Sequence, residues 1–239
     1  MNHPNINVQA LLAPPDIMAA KRALCIQPHP DDNEIGMGGT IAVLAEAGCE
    51  LHYLTVTNGD RGNKDKTTSR EQTAAIRHAE AVAAGRHLGA TEFHFMDYGD
   101  STLSDAWALS EAIADVMRSV QPEVVFCPDP WLPYEAHLDH IITGRAAASA
   151  FTKYGQGAIG YYFTARPNTI IDISAVFEQK FAAIALHESQ MTPETLAMFR
   201  IYFDMKAREL AAERDFELGE GLKVLSALHS HCFVDAERI

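Results

Sequence analysis

Ala23-Leu24-Cys25-Ile26-Gln27, followed at once by Pro28-His29-Pro30-Asp31-Asp32-Asn33-Glu34-Ile35-Gly36-Met37-Gly38-Gly39, decides the reading of this chain. The apolar pentad is a buried strand that stops at Pro28. Gly39–Gly48 then reads as a helix closed by Gly48. Between them stand one His and two Asp within four residues. Neighbouring carboxylates repel unless a cation or a shared proton relieves them. Strand-end loops seldom need such a pair for packing, so the segment predicts a site for a divalent ion. The bland alternative is that Asp31 and Asp32 cap the helix that follows.

Working outward, apolar runs alternate with helical stretches. Glu50–Thr57 is a strand rich in Leu, Val, Thr and Tyr. Asn58–Thr68 is a polar loop. Ser69 caps a helix over Arg70–Leu88, which ends at Gly89. Thr91–Met96 is a third strand. Ser104–Val120 is an amphipathic helix with Ser104 as its cap. Glu123–Cys127 is a fourth strand stopped by Pro128, and a helix runs from about Leu138 to Phe151. Two further strands follow at Gly160–Thr164 and Thr169–Ile173, then helices at Ser174–His187 and Pro193–Phe216. The apolar tail, Leu222–Phe233, is expected to pair at a sheet edge. Residues 1–20 read as an N-terminal arm and 21–239 as a single domain. The alternation predicts an α/β fold, a Rossmann-like three-layer sandwich with a mostly parallel sheet covered on both faces.

Such sheets bind ligands beyond the carboxyl ends of their strands, at a topological switch point. A second unusual segment, His137-Leu138-Asp139-His140, follows the fourth strand as the first segment follows the first strand. The two are therefore expected to meet. Together they offer imidazoles and carboxylates enough for a catalytic metal, which takes three protein ligands and leaves a position open. Imidazole in the set points to zinc, with iron, cobalt or nickel able to substitute, rather than to magnesium or calcium.

Composition narrows the field. With 239 residues and 47% hydrophobic content the chain can bury a sizeable core. No apolar run approaches the roughly 20 residues that span a bilayer, and Met1–Pro15 lacks the pattern of a secretory signal. The formal charge of −13, from 19 basic and 32 acidic residues, disfavours nucleic acid and anionic membranes as partners. The four cysteines, Cys25, Cys49, Cys127 and Cys232, show no C-x-x-C spacing, which excludes a cysteine zinc knuckle. Buried free thiols and the missing signal suggest a reducing, cytoplasmic location. Gly36-Met37-Gly38-Gly39 lacks the dinucleotide spacing G-x-G-x-x-G, and the carboxylates before it would repel a pyrophosphate. No G-x-S-x-G elbow supports a serine hydrolase.

At the two motifs the sequence resembles the PIG-L/LmbE-like zinc de-N-acetylases, which carry a His-Pro-Asp-Asp segment and a downstream His-Pro-Asp-His. It is most similar to the N,N′-diacetylchitobiose deacetylase branch through Pro128-Asp129-Pro130-Trp131-Leu132-Pro133-Tyr134-Glu135, Ala74-Ala75-Ile76-Arg77, Arg166-Pro167-Asn168, His187-Glu188-Ser189-Gln190 and Gly219-Glu220-Gly221. Leu138 replaces the usual Pro, and the segment before Arg166 looks shorter than in that branch. The resemblance implies His29, Asp32 and His140 as ligands of one Zn2+ per subunit. It implies Asp31 as general base, His137 as donor to the oxyanion or leaving group, and Asp139 as the residue that orients His137. Arg77, Asp100 and His231 match positions lining the sugar site, and Trp131 is placed to stack on a sugar ring. The implied activity is hydrolysis of the N-acetyl group of an N-acetylglucosamine-type mono- or disaccharide, by a homo-oligomer (trimer or hexamer). Two alternatives compete: a metal-dependent hydrolase or hydratase acting on a non-sugar acyl compound, and a metal-binding module without catalysis. The second carboxylate, Asp31, argues against the last.

Overall fold

The computed structural model describes residues 7, 10, 12–62 and 67–233. Parts of the expected N-terminal arm, of the 58–68 loop and of the C-terminal end of the domain (234–239) lie outside the described residues. The element order is β1 (Arg22–Gln27), α1 (Asp32–Glu46), β2 (Glu50–Thr57), α2 (Arg70–His87), β3 (Glu92–Tyr98), α3 (Ala106–Val120), β4 (Val124–Pro128), α4 (Leu138–Tyr154), β5 (Ala158–Tyr162), β6 (Thr169–Asp172), α5 (Phe177–Ala185), α6 (Pro193–Ala211), β7 (Gly219–Ser226) and α7 (Ala227–Cys232).

All seven strands join one sheet in the order β3-β2-β1-β4-β5-β7-β6. The first five are parallel to one another, and β7 runs antiparallel to both β5 and β6. Alternating side chains of the buried strands feed two cores. Cys25 of β1 and Tyr53 of β2 pack on one face with Ile41, Leu88, Phe181 and Ala207, from α1, α2, α5 and α6. Leu24, Ile26 and Leu54 pack on the other with Ile113 and Met117 of α3 and Phe151 of α4. This is the expected three-layer α/β sandwich. Ile17 and Ala20, from the predicted arm, are buried in the first core.

The chain order reverses between β1 and β4, so this pair forms the switch point. Its two outgoing loops carry His29–Asp32 and His137–His140.

Several boundaries differ from the sequence expectation, each for a local reason. The first helix begins at Asp32, seven residues early, but kinks at Met37 (φ −150°, ψ 27°). Past the kink the backbone N–H groups of Gly39 and Thr40 donate to the Glu220 carboxylate, at 3.4 and 2.6 Å. Glu220 is itself paired with buried Lys180 at 2.6 Å. The pattern read as a helix from Gly39 is thus the second half of a helix whose new start is capped from β7. Asp105, rather than Ser104, caps α3 by accepting from Trp107 and Ala108. The tail is not an edge strand: β7 lies inside the sheet, and Ser226 then caps α7 with His229 in a reciprocal box.

Close packing fixes α1 on the sheet. A Cβ built on Gly36 would stand 2.4 Å from the Tyr162 ring. That ring is fully buried, and its hydroxyl donates to the Ile26 carbonyl at 3.0 Å. Gly36→Ala is expected to cost about 1–3 kcal/mol of stability through overpacking, read from the midpoint of urea unfolding; an unchanged midpoint contradicts this packing.

Candidate metal centre

The loop after β1 folds back on itself. The backbone N–H of His29 donates to Asp32 Oδ2 at 2.8 Å, and His29 Nδ1 stands 3.2 Å from the same oxygen. The other oxygen, Asp32 Oδ1, lies 3.4 Å from His140 Nε2. His140 sits in the first turn of α4, so one carboxylate faces an imidazole from each loop. Neither Asp caps α1: its N-cap residue, Asp31, makes no side-chain cap hydrogen bond. Ligand atoms of His29, Asp32 and His140 all lie within 4.8 Å of one another, which suits a single ion. Two imidazoles and one carboxylate are a donor set for zinc and its first-row neighbours.

The electrostatics favour positive charge on His29. Burial alone would lower the pKa of His29, yet Asp100, Asp139 and Asp32 push it up to about 12. Burial opposes ionisation of Asp32 as well, and His140 and His29 hold it far below the usual carboxylate range. Asp100, also buried, is held down at about 2 by His29 and Ser101. Positive charge at the centre of these carboxylates is strongly favoured.

Asp31 stands apart from the ligand cluster. Its Oδ1 pairs with Arg77 Nη2 at 3.2 Å. Burial raises its pKa, with Arg77 pulling against the rise and Asp32 adding to it. Arg77 itself is buried and donates through Nη1 to the Gly59 carbonyl at 3.1 Å. A Cβ on Gly59 or Gly62 would strike its guanidinium at 2.5 or 2.7 Å. Arg77, expected at the sugar site, is therefore packed behind Asp31.

His137 is the N-cap of α4 and is exposed at the cluster, its ring centroid 4.6 Å from that of His29. Burial of part of its ring lowers its pKa, with help from His29 and His140. The backbone N–H of Asp139, the residue expected to orient His137, donates to His137 Nδ1 at 3.3 Å as the N-cap hydrogen bond. The Asp139 carboxylate turns elsewhere: Oδ2 accepts from the Ser101 N–H at 2.7 Å and lies 3.2 Å from His29 Nε2. Asp100 Oδ1 stands 3.7 Å from the same nitrogen.

Two expected substrate residues lie off the cluster. Trp131 is 61% exposed and meets Tyr161 edge-on. It lines a side pocket of about 430 Å³ with Asp129, Pro133, Arg166 and Lys223. His231 is exposed on α7 and is absent from both groups of potential ligands among the described residues. Of the cluster residues, His140 alone lines a cavity of about 980 Å³, together with Glu135, Gly36 and Phe163. Glu135 was given no role by the sequence. Its Oε1 accepts from the His137 N–H at 2.7 Å, and its Oε2 lies 3.4 Å from His140 Nδ1, near enough for charge attraction though outside hydrogen-bonding geometry.

The PIG-L family of GlcNAc-PI de-N-acetylases matches residues 24–151, a stretch that holds most of β1, all of β4 and both His/Asp loops. The chain belongs to the PIG-L family. It is 33% identical over 228 residues to a diacetylchitobiose deacetylase of Thermococcus kodakarensis, covering 88% of this chain and 85% of that protein. The crystal structure of N,N′-diacetylchitobiose deacetylase from Pyrococcus horikoshii superposes with a TM-score of 0.89 at 29% identity, covering all of both chains. A 4-oxalmesaconate hydratase of Pseudomonas putida is 33% identical over 205 residues, 76% of this chain and 77% of that protein. Within the PIG-L family this chain is a hydrolytic N-deacetylase.

Beneath Asp31, His187 and Glu34 are fully buried and 3.2 Å apart. Burial lowers the His187 pKa, but Glu34 outweighs it and the net shift is upward. A raised value means that protonation favours the folded chain. The stabilisation is complete below the unfolded pKa of about 6.5 and is lost as pH rises through the folded value. Thermal melts should therefore show a loss of stability on the alkaline side of pH 6.5 that is smaller in His187→Gln; equal losses in both proteins would remove His187 as the source.

Proposed function

We propose that this chain hydrolyses the N-acetyl group of an N-acetylglucosamine-type mono- or disaccharide, with one Zn2+ per subunit held by His29, Asp32 and His140. The observation that carries the reading is the half-buried carboxylate Asp31, held by Arg77 next to the ligand cluster but outside it. A module that only stored a metal has no use for that second carboxylate.

A bound zinc ion supplies Lewis-acid polarisation and makes water a competent nucleophile near neutral pH. The remaining work falls to the chain. Arg77 engages Oδ1 of Asp31 and so fixes the carboxylate that accepts the proton of the attacking water. His137 receives a hydrogen bond at Nδ1, so its neutral ring carries the proton on Nε2. Its lowered pKa favours this neutral form, a donor for the developing oxyanion. Return of a proton to nitrogen breaks the C–N bond, and amide plus water leave as amine plus acetic acid. Asp139 accepts from His29 Nε2, with Asp100 3.7 Å from the same nitrogen, which reserves Nδ1 for the ion. Asp100 and Arg77 shape the floor of the site, while Trp131 and His231 serve as outlying sugar contacts.

The similarity to the Pseudomonas putida hydratase gives only weak support to the competing reading, hydration or hydrolysis of a non-sugar acyl compound. Acetate release separates the two. The zinc-loaded protein is expected to release acetate from N-acetylglucosamine or diacetylchitobiose and to stop when treated with chelator. Asp31→Asn should keep its zinc and lose turnover, and His137→Ala should fall about 100- to 1000-fold. No acetate from any acetamido sugar at full metal occupancy contradicts the proposal, and full activity in Asp31→Asn contradicts the base.

The cytoplasm is the proposed compartment, supported by the free buried thiols of Cys25, Cys49 and Cys127; no helix among the described residues is long and apolar enough to cross a membrane. A homo-oligomer, trimer or hexamer, is also proposed. Its support is the exposed apolar stripe Met198, Ile201, Tyr202 and Met205, at helical spacing on α6. Light scattering should give a mass three or six times 26.2 kDa; a monomer mass contradicts it.

A further inference from the structure

The His29 ring separates two clusters. Its Nδ1 side faces Asp32 and, beyond it, His140. Its Nε2 side faces Asp139 at 3.2 Å and Asp100 at 3.7 Å. On this second side, ligand atoms of His29, Asp100, His137 and Asp139 all lie within 4.8 Å of one another. A separate observation points to a ligand there. Asp139 is 1% exposed, and its Oδ1 is buried without a hydrogen-bond partner. An unpaired buried carboxylate oxygen is costly and is relieved by a cation.

We propose that Asp100, His137 and Asp139 form a second divalent-cation site beside the first, weaker than it, and that filling this site blocks catalysis. One imidazole and two carboxylates suit zinc or another first-row divalent ion. The second site is weaker for three reasons. His29 cannot join it without giving up the Nε2 proton that orients it for the first ion. Asp139 Oδ2 already accepts from the Ser101 N–H at 2.7 Å. An ion already on the other side of His29 repels the newcomer across a short distance. Binding is fatal to turnover because it ties up the His137 nitrogen that would serve the oxyanion. It also draws Asp100 and Asp139 away from His29. The inhibitory half rests on the deacetylase reading of His137, whereas the binding half does not.

The test is a zinc titration of the full chain after chelator treatment, followed by equilibrium dialysis and elemental analysis without substrate. The expected result is a first equivalent that survives desalting and a second that appears only at higher free zinc. Acetate release should rise with the first equivalent and fall with the second. Asp100→Asn and His137→Gln should each keep the first equivalent and lose the second. His137 is exposed, so its variant stays informative if Asp100→Asn unfolds. His94→Ala, which removes half of the His52–His94 pair 3.2 Å apart on β2 and β3, outside both clusters, should keep both. With cobalt(II) as probe, the second equivalent should add a visible absorption that His137→Gln lacks. A single equivalent at all zinc concentrations overturns the site, as does a second equivalent retained by both variants. A second equivalent that binds without slowing acetate release overturns the inhibitory half. If acetate is never released, the stoichiometry still decides whether the site exists.

Discussion

Asp32 holds the active end of this protein together. One oxygen faces an imidazole from its own loop, and the other faces an imidazole delivered 108 residues later at the start of α4. That arrangement is possible only because β1 and β4 are neighbours in the sheet although they are not neighbours in sequence. The parallel register delivers both loops to the same edge, and each loop is pinned locally. The His29 N–H is bound by Asp32 and the His137 N–H by Glu135. The ligands thus arrive with little freedom left, which lowers the cost of seating an ion between them.

The rest of the site manages charge around that junction. Three carboxylates, Asp32, Asp100 and Asp139, face His29, and a fourth, Asp31, stands beside Asp32. Arg77 neutralises one of them from behind, and the glycines at 59 and 62 leave room for its guanidinium. The others depend on His29. The division of labour follows from geometry. Asp32 faces the two ligand imidazoles, Asp31 is turned to Arg77, and Asp139 and Asp100 steady the far nitrogen of His29.

Much of this was legible in the sequence because it is local. The strand–helix alternation fixed the three-layer architecture, and the two His/Asp motifs at matching strand ends identified their meeting place. What escaped depends on distant partners. The true start of α1 was hidden because its kink is capped by Glu220, 181 residues beyond Gly39. The interior position of β7 could not be read from a tail that looks like an edge strand. Arg77 matched a sugar-site position by motif, but its burial behind Asp31 requires knowing where Gly59 and Gly62 fold. The side pocket that Trp131 lines and the exposed place of His231 on α7 likewise depend on how distant segments fold.

The central claim is that two loops close on one ion. An anomalous difference map from crystals of the chain loaded with a single equivalent of zinc, recorded on both sides of the zinc edge, tests it most directly. The account predicts one peak in contact with His29, Asp32 and His140 and with no other side chain. A peak elsewhere, or His29 and His140 turned away from each other with no peak between them, would contradict it.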